Sequence, residues 1–352
     1  MNVTPKSPER LMAQVAAFAD TEPGRSEASL IFEQGLAEIT PANPVPAQAA
    51  DRAGKVAQYL SFLRMVDGST SPEVQGREKI LNAYHEYQPL VSPLLASVAD
   101  RNDTENDVFL GSGSNAAVYL LEKDCEQLAV RVPATKRHTA QTVDTHVGAA
   151  LRAQGITGLE EIVAASYADG VTIAKRMPGK EIPHTSLDDV NAISTDQLRQ
   201  FVNLLCQSFD AGIIIDFKMT NIFYDRAAGF GVVDLAAYKD YYATPMVLHN
   251  RIGAGQQVLL NMGGIQREMN RLATERDCAS IAHGLETILP KLEEYGQVAR
   301  ELTGWQETAL VDATRENIRN YRNPAWIAER VQEANTLLAK RTPVFDLVDE
   351  ID

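Results

Sequence analysis

A-G-I-I-I-D-F-K-M-T-N-I-F-Y-D-R-A-A-G-F-G-V-V-D-L-A-A-Y, running from Ala211 to Tyr238, decides how the rest of the chain reads. Within it Asp216 is followed by Lys218, Asn221 and Asp234, at offsets of two, five and eighteen residues. The runs Ile222 to Tyr224 and Phe230 to Val233 are β-rich and separated by turn residues, so the stretch predicts a strand-turn-strand hairpin carrying two carboxylates, an amide and an ammonium. Solvated charge around an ordinary hairpin accounts for any one of these four groups, but poorly for all of them together.

Such a set suits phosphoryl transfer, in which a densely anionic group must be met by a hydroxyl that is losing its proton. One carboxylate can orient the hydroxyl, the lysine can neutralise phosphate, and the amide with the second carboxylate can hold magnesium through hard oxygen ligands. The spacing resembles the catalytic and metal-binding loops of the eukaryotic-like protein kinase superfamily, H-R-D-L-K-P-x-N followed by D-F-G, which here read I-I-D-F-K-M-T-N and D-L-A. The resemblance implies that Asp216 and Lys218 are catalytic, and that Asn221 and Asp234 bind Mg2+.

About a hundred residues upstream, V-F-L-G-S-G-S-N-A-A-V-Y-L-L-E-K from Val108 predicts a strand, a glycine turn over Gly111 to Asn115, and a second strand over Ala117 to Glu122. A third strand follows at Leu128 to Val132. The turn is similar to the kinase loop G-x-G-x-x-G-x-V, and a strand rather than a helix follows it, unlike a Rossmann fingerprint. By that resemblance Gly111, Ser112, Gly113 and Ser114 would cradle the phosphates of ATP. Val118 and Ala129 would line the adenine site, and Arg131, in L-A-V-R, would stand where the family carries the lysine of V-A-I-K. Arginine keeps the charge but is longer and planar. The family's partner glutamate has no counterpart between His138 and Gln154, where Asp144 is the only acid. Either Arg131 pairs with Asp144, or Lys136 or Arg137 stands in, or the nucleotide is held differently.

Glu161 to Lys175 predicts two more strands, and A-K-R-M-P-G-K-E-I from Ala174 resembles the hinge between kinase lobes, with Met177 as wall or core. Leu198, Phe201, Leu205 and Phe209 recur at helical spacing ahead of Gly212, a natural helix stop. After Asp234 the glycine of D-F-G is Ala236 and no A-P-E follows. A long helix is predicted near Gly253 to Thr274, then helices around Ile281 to Leu302, Gln306 to Tyr321 and Pro324 to Ala339, with Trp305 and Trp326 as core anchors.

The expected fold is α+β: a bilobal kinase-like domain with a β-rich N-lobe over 101–176 and a helical C-lobe over 177–352. A loosely ordered segment and proline-bearing linker over 1–50 and a helical extension over 51–100 precede it. In the extension Val56, Tyr59, Leu60, Leu63 and Val66 give one apolar stripe ending at Gly68. Ser71-Pro72-Glu73 starts a second helix with Ile80, Leu81, Tyr84 and Tyr87 on its apolar face. This extension is expected to pack on the following lobe or to bind a chaperone or another partner.

Composition bounds the partners. A formal charge of −14 argues against a general nucleic-acid binder, whose affinity comes from neutralising phosphates. No apolar run is long enough to span a bilayer. Cys125, Cys206 and Cys278 are odd in number and lie far apart, so neither a disulfide framework nor a zinc site is indicated. No basic-then-apolar leader opens the sequence, which predicts a cytoplasmic protein; the polar M-N-V-T-P-K-S-P-E-R would also suit export by an injection-type machine.

Lysine two residues after the catalytic aspartate is the serine/threonine-kinase habit. A shortened segment without A-P-E resembles atypical kinases that bacterial pathogens deliver into host cells as virulence effectors. The resemblance therefore implies a serine/threonine protein kinase using ATP and Mg2+ on a protein substrate, a host protein if the chain is secreted. Aminoglycoside and choline kinases share the hinge pattern but carry H-x-D with a second histidine, where this chain has Ile214 and Lys218. A pseudokinase scaffold is the third reading, motivated by Arg131 and the missing helix glutamate.

Overall fold

A computed structural model describes residues 64, 70–99, 108–112, 116–133, 140–237, 245–269 and 275–341. The expectations for 1–63, and for Gly68, Gly113, Ser114, Lys136 and Arg137, lie outside them. The chain is α+β and divides into two compact units. The first holds the described residues of Met1–Gly155, Glu160–Arg176 and Leu235–Lys239; the second holds those of Ile156–Leu159, Met177–Asp234 and Asp240–Asp352.

The first unit is built on an antiparallel sheet of β1 (Phe109–Ser112), β2 (Ala116–Lys123), β3 (Glu126–Pro133), β4 (Ile162–Ser166) and β5 (Val171–Lys175), in the order β1-β2-β3-β5-β4. Side chains alternate between the faces of a strand. Tyr119, Val130 and Ile173 are opposite one another in register and fall on one face, fully buried. Against that face lies α1 (Pro72–Ala99), which starts at the proline expected to start it and contributes Tyr84 and Val91 to the core. Within the expected extension, α1 thus packs on the strands that follow it, the first of the two expectations made for that segment.

The second helix, α2 (Ala140–Arg152), packs against α1, β4 and the short strand Leu235–Ala237. A buried ionic cluster fixes α1 to α2. Arg77 Nε donates to the Asp144 carboxylate at 2.9 Å, its Nη1 donates to Glu73 at 2.8 Å, and the Tyr167 hydroxyl donates to the same Asp144 oxygen. Arg77 is 6% exposed, so the cluster lies in a low-dielectric site where an unmatched charge is costly. On the same helix, His146 Nδ1 lies 2.7 Å from the Leu235 carbonyl oxygen. A carbonyl only accepts, so the Nδ1–H tautomer is required there.

The second unit combines a three-stranded antiparallel sheet with helices. Its strands are β6 (Lys180–Glu181), β8 (Ile222–Asp225) and β9 (Gly229–Val232), in the order β6-β8-β9, and β7 (Ile213–Ile215) precedes the hairpin. The helices are α3 (Leu187–Ala192), α4 (Thr195–Asp210), α5 (Pro245–Leu260), α6 (Ile265–Met269), α7 (Glu275–Thr303), α8 (Ala309–Tyr321) and α9 (Pro324–Arg341). Reciprocal capping boxes, Ser186 with Asp189 and Ser194 with Gln197, start α3 and α4 and satisfy N-terminal amides that would otherwise lack partners. The apolar stripe of α4 is buried as its spacing predicts, and Phe201 stacks on Phe230 of β9 with ring centres 4.4 Å apart. Ile281, Leu285, Ile288, Leu292 and Tyr295 of α7 complete the core.

Two expectations need correction. The long helix near Gly253 to Thr274 is broken: α5 ends at Leu260, and Gly263 and Gly264 take the left-handed conformation, φ 67° and 71°, before α6 begins. Glycine reaches that region without a Cβ clash, and Gly263 N–H donates to Thr185 Oγ1 at 3.0 Å, which holds the break in place. Trp305 is a core residue, but Trp326 is only half-buried and packs edge-on against Tyr321.

Gly179 joins the expected hinge segment to β6 at φ 88°, and a Cβ there would stand 2.2 Å from the Tyr224 carbonyl oxygen. Backbone cannot step aside as a side chain can. Gly179→Ala is therefore expected to lower stability by about 3 kcal/mol, read as a shifted urea midpoint with unchanged m-value. A midpoint within error of wild type would show that the segment relaxes freely.

Candidate functional site

In the second unit, α4 ends at Asp210, Gly212 turns the chain at φ 66°, and β7, with Ile213 and Ile215 buried, leads directly to Asp216. Arg251 of α5 secures that strand. It is 5% exposed, and it donates to the Ile213 carbonyl and to Ser208 Oγ, each at 2.8 Å. Nothing in the local spacing marks it out, because an arginine within a helix reads as a solvated residue until the helix is packed.

The loop 216–221 is closed on itself. Lys218 Nζ lies 2.7 Å from an Asp216 carboxylate oxygen, Asn221 Nδ2 donates to the Asp216 backbone carbonyl at 3.3 Å, and Asn221 N–H donates to the Lys218 carbonyl at 2.9 Å. The Asn221 carbonyl in turn accepts from Val233 N–H at 2.9 Å, which ties the end of β9 to the loop just before Asp234. The four residues singled out by spacing are thus linked, directly or through one neighbour, by short contacts. The hydrogen bond from Lys218 to Asp216, helped by the Asp216 and then the Asp234 charge, raises the lysine above its ordinary pKa. Lys218 is therefore fully protonated near neutrality.

Asp234 has φ 62°. A non-glycine residue in the left-handed region is uncommon, and aspartate is among the few that tolerate it. Such strain persists where surrounding structure holds it and clusters at functional positions. Beside it in β9, Gly231 leaves room for Met177: a Cβ on Gly231 would lie 2.2 Å from the Met177 sulfur. Met177 is thus a wall of the β9 strand that leads to Asp234.

Among the described residues no three of His, Cys, Asp and Glu come together as a metal cage. Asn221 and Asp234 instead offer one amide and one carboxylate, a donor set that suits magnesium, which keeps several waters and takes few protein ligands.

In the first unit, Gly111 is opposite Val118, Val118 opposite Arg131, and Arg131 opposite Thr172. Ala129 lies two residues from Arg131 on the same side. Val118, Ala129 and Arg131 therefore share the sheet face opposite the one that α1 covers, and none of the three is fully buried. Ser112 ends β1, while Gly113 and Ser114 lie outside the described residues.

The acid of α2 has a different task from one considered for it: Asp144 anchors Arg77 and Tyr167. A carboxylate beside Arg131 is that of Glu160, 3.6 Å from its Nη2. Glu160 follows α2 and lies in the lead-in to β4, so spacing within the helix after β3 does not name it.

No family model matches this sequence, nor does any curated protein. Among the described residues no helix is long and apolar enough to cross a membrane.

Proposed function

We propose that the chain is an ATP-dependent phosphotransferase of kinase-like bilobal fold, and specifically a serine/threonine protein kinase of the atypical kind that lacks an A-P-E segment. The observation that carries the reading is the self-closed loop in which Asp216, Lys218 and Asn221 contact one another and tie to the segment before a strained Asp234.

Each group has a chemical task in it. The Asp216 carboxylate would accept a hydrogen bond from the substrate hydroxyl and then its proton, as the oxygen attacks the γ-phosphorus and the bond from that phosphorus to the bridging oxygen breaks to release ADP. The Lys218 ammonium, held charged by its neighbour, stabilises the transferring phosphoryl group. Asn221 and Asp234 would hold Mg2+, which when bound neutralises charge on the β- and γ-phosphates. By the same resemblance, Arg131 and Gly111 of the first unit would serve the phosphates, and Val118 and Ala129 on the same sheet face would serve the base.

The test is transfer of labelled γ-phosphate from ATP-magnesium to the protein itself, to a generic protein substrate and to a cell extract. Protein label that depends on Asp234 supports the proposal. Label on small molecules alone would make the chain a small-molecule phosphotransferase, and ATP binding without transfer would make it a scaffold.

A further inference from the structure

The sequence leaves Arg131 without the helix glutamate that an ordered phosphate-binding cation needs, and the structure places the only acid of α2 elsewhere. Asp144 is engaged by Arg77 and Tyr167 in the cluster that docks α1. Glu160 lies at the lead-in to β4, with its carboxylate 3.6 Å from the Arg131 guanidinium. Both side chains are largely buried, at 13% exposure for Arg131 and 7% for Glu160, so their attraction is weakly screened and neither is spared desolvation.

The placement is firm. Lys175 N–H of β5 donates to the Glu161 carbonyl at 2.9 Å, and the Lys175 ammonium pairs with the Glu161 carboxylate at 2.8 Å, which fixes the residue next to Glu160 against the sheet. Arg131 is held in turn by full register with Val118 on β2 and Thr172 on β5.

We infer that Glu160 is the positioning residue for Arg131: it orients the guanidinium for nucleotide phosphates from within the sheet's own lead-in rather than from α2. The inference rests on the phosphotransferase reading and deepens it. A cation aligned by an acid at the lead-in to β4 is set by the sheet itself, so the Arg131–Glu160 pair is in place whenever the sheet is folded. The helix acid is thereby released for the structural task of holding α1. A planar guanidinium suits this arrangement because it can face a carboxylate with one edge and a phosphate with the other, which a lysine ammonium does less well.

The experiment compares wild type, Glu160→Gln and Glu160→Asp in the full chain, measuring binding of ATP-magnesium and of adenosine separately. Glu160→Gln keeps size and hydrogen-bonding capacity and removes the charge. The expected result is an ATP affinity about tenfold weaker with adenosine affinity unchanged, and partial recovery in Glu160→Asp. Equal ATP affinity in wild type and Glu160→Gln overturns the inference, as does parallel loss of ATP and adenosine, which would mark Glu160 as merely structural. Wild type that binds neither ligand would defeat the nucleotide reading and with it the phosphate role of Arg131. A thermal-unfolding double-mutant cycle between Arg131→Gln and Glu160→Gln, run without nucleotide, tests the pair by itself, and additive effects there would overturn the pairing whatever the ligand results.

Discussion

Asp234→Asn is expected to reduce phosphoryl transfer by more than about a thousandfold while leaving the unfolding midpoint close to that of wild type. The choice of asparagine follows from the backbone. Asp234 has φ 62°, and asparagine, like aspartate, accepts the left-handed region, so the exchange removes a charge without adding strain. Asp234→Ala should lose the same activity and also about 1 kcal/mol of stability, because alanine lacks the short polar side chain that tolerates this geometry. Asp216→Ala should likewise abolish transfer, and it removes the contact that raises the Lys218 pKa. Full activity in any of the three variants would remove that residue from the mechanism. Activity retained in Asp234→Asn but lost in Asp234→Ala would instead mean that backbone geometry, not magnesium binding, is what this position supplies.

A second large effect, on stability, is expected away from that loop. Asp144→Ala leaves Arg77 buried with Glu73 as its remaining carboxylate in the cluster, and deprives the Tyr167 hydroxyl of its acceptor there. Burial, and then the Asp144 charge, push the Tyr167 phenol well above its ordinary pKa, so it is present as a neutral donor that must be satisfied. Breaking one side of a buried ion pair is costly, and the expected loss here is about 3 kcal/mol, a large share of the stability of an ordinary domain. Urea unfolding of Asp144→Ala should show it. Combining Asp144→Ala with Arg77→Met should recover much of the loss, because the second change removes the under-compensated buried charge and retains apolar volume at the junction of α1 and α2. A single variant within 1 kcal/mol of wild type would show that water reaches the cluster and that the ions are not held in a low-dielectric site.

Much of the fold was legible because it is local. The five strands of the first unit, the β8–β9 hairpin and α4 follow from alternation or helical spacing within short windows, and Gly212 and Pro72 mark boundaries through their own φ preferences. The loop from Asp216 to Asn221 was legible for the same reason: its contacts join residues two to five positions apart, so spacing alone could bring them together. The break in the helix after α5 was missed because the apolar pattern runs on past Leu260, while the left-handed turn at Gly263 is held by Thr185, far away in the chain.

By itself, the sequence determined which residue types stand together in the 216–234 hairpin and which faces of the strands and helices are apolar, since both depend on neighbours along the chain. Only the tertiary structure decided the ionic pairings. Asp144 serves Arg77, 67 residues away, Arg251 reaches the strand before Asp216 across 38 residues, and Glu160 is the acid beside Arg131. Burial is the physical reason: a charge taken out of water must meet whichever opposite charge or dipole the packed elements bring to it, and no periodicity in the sequence names that partner.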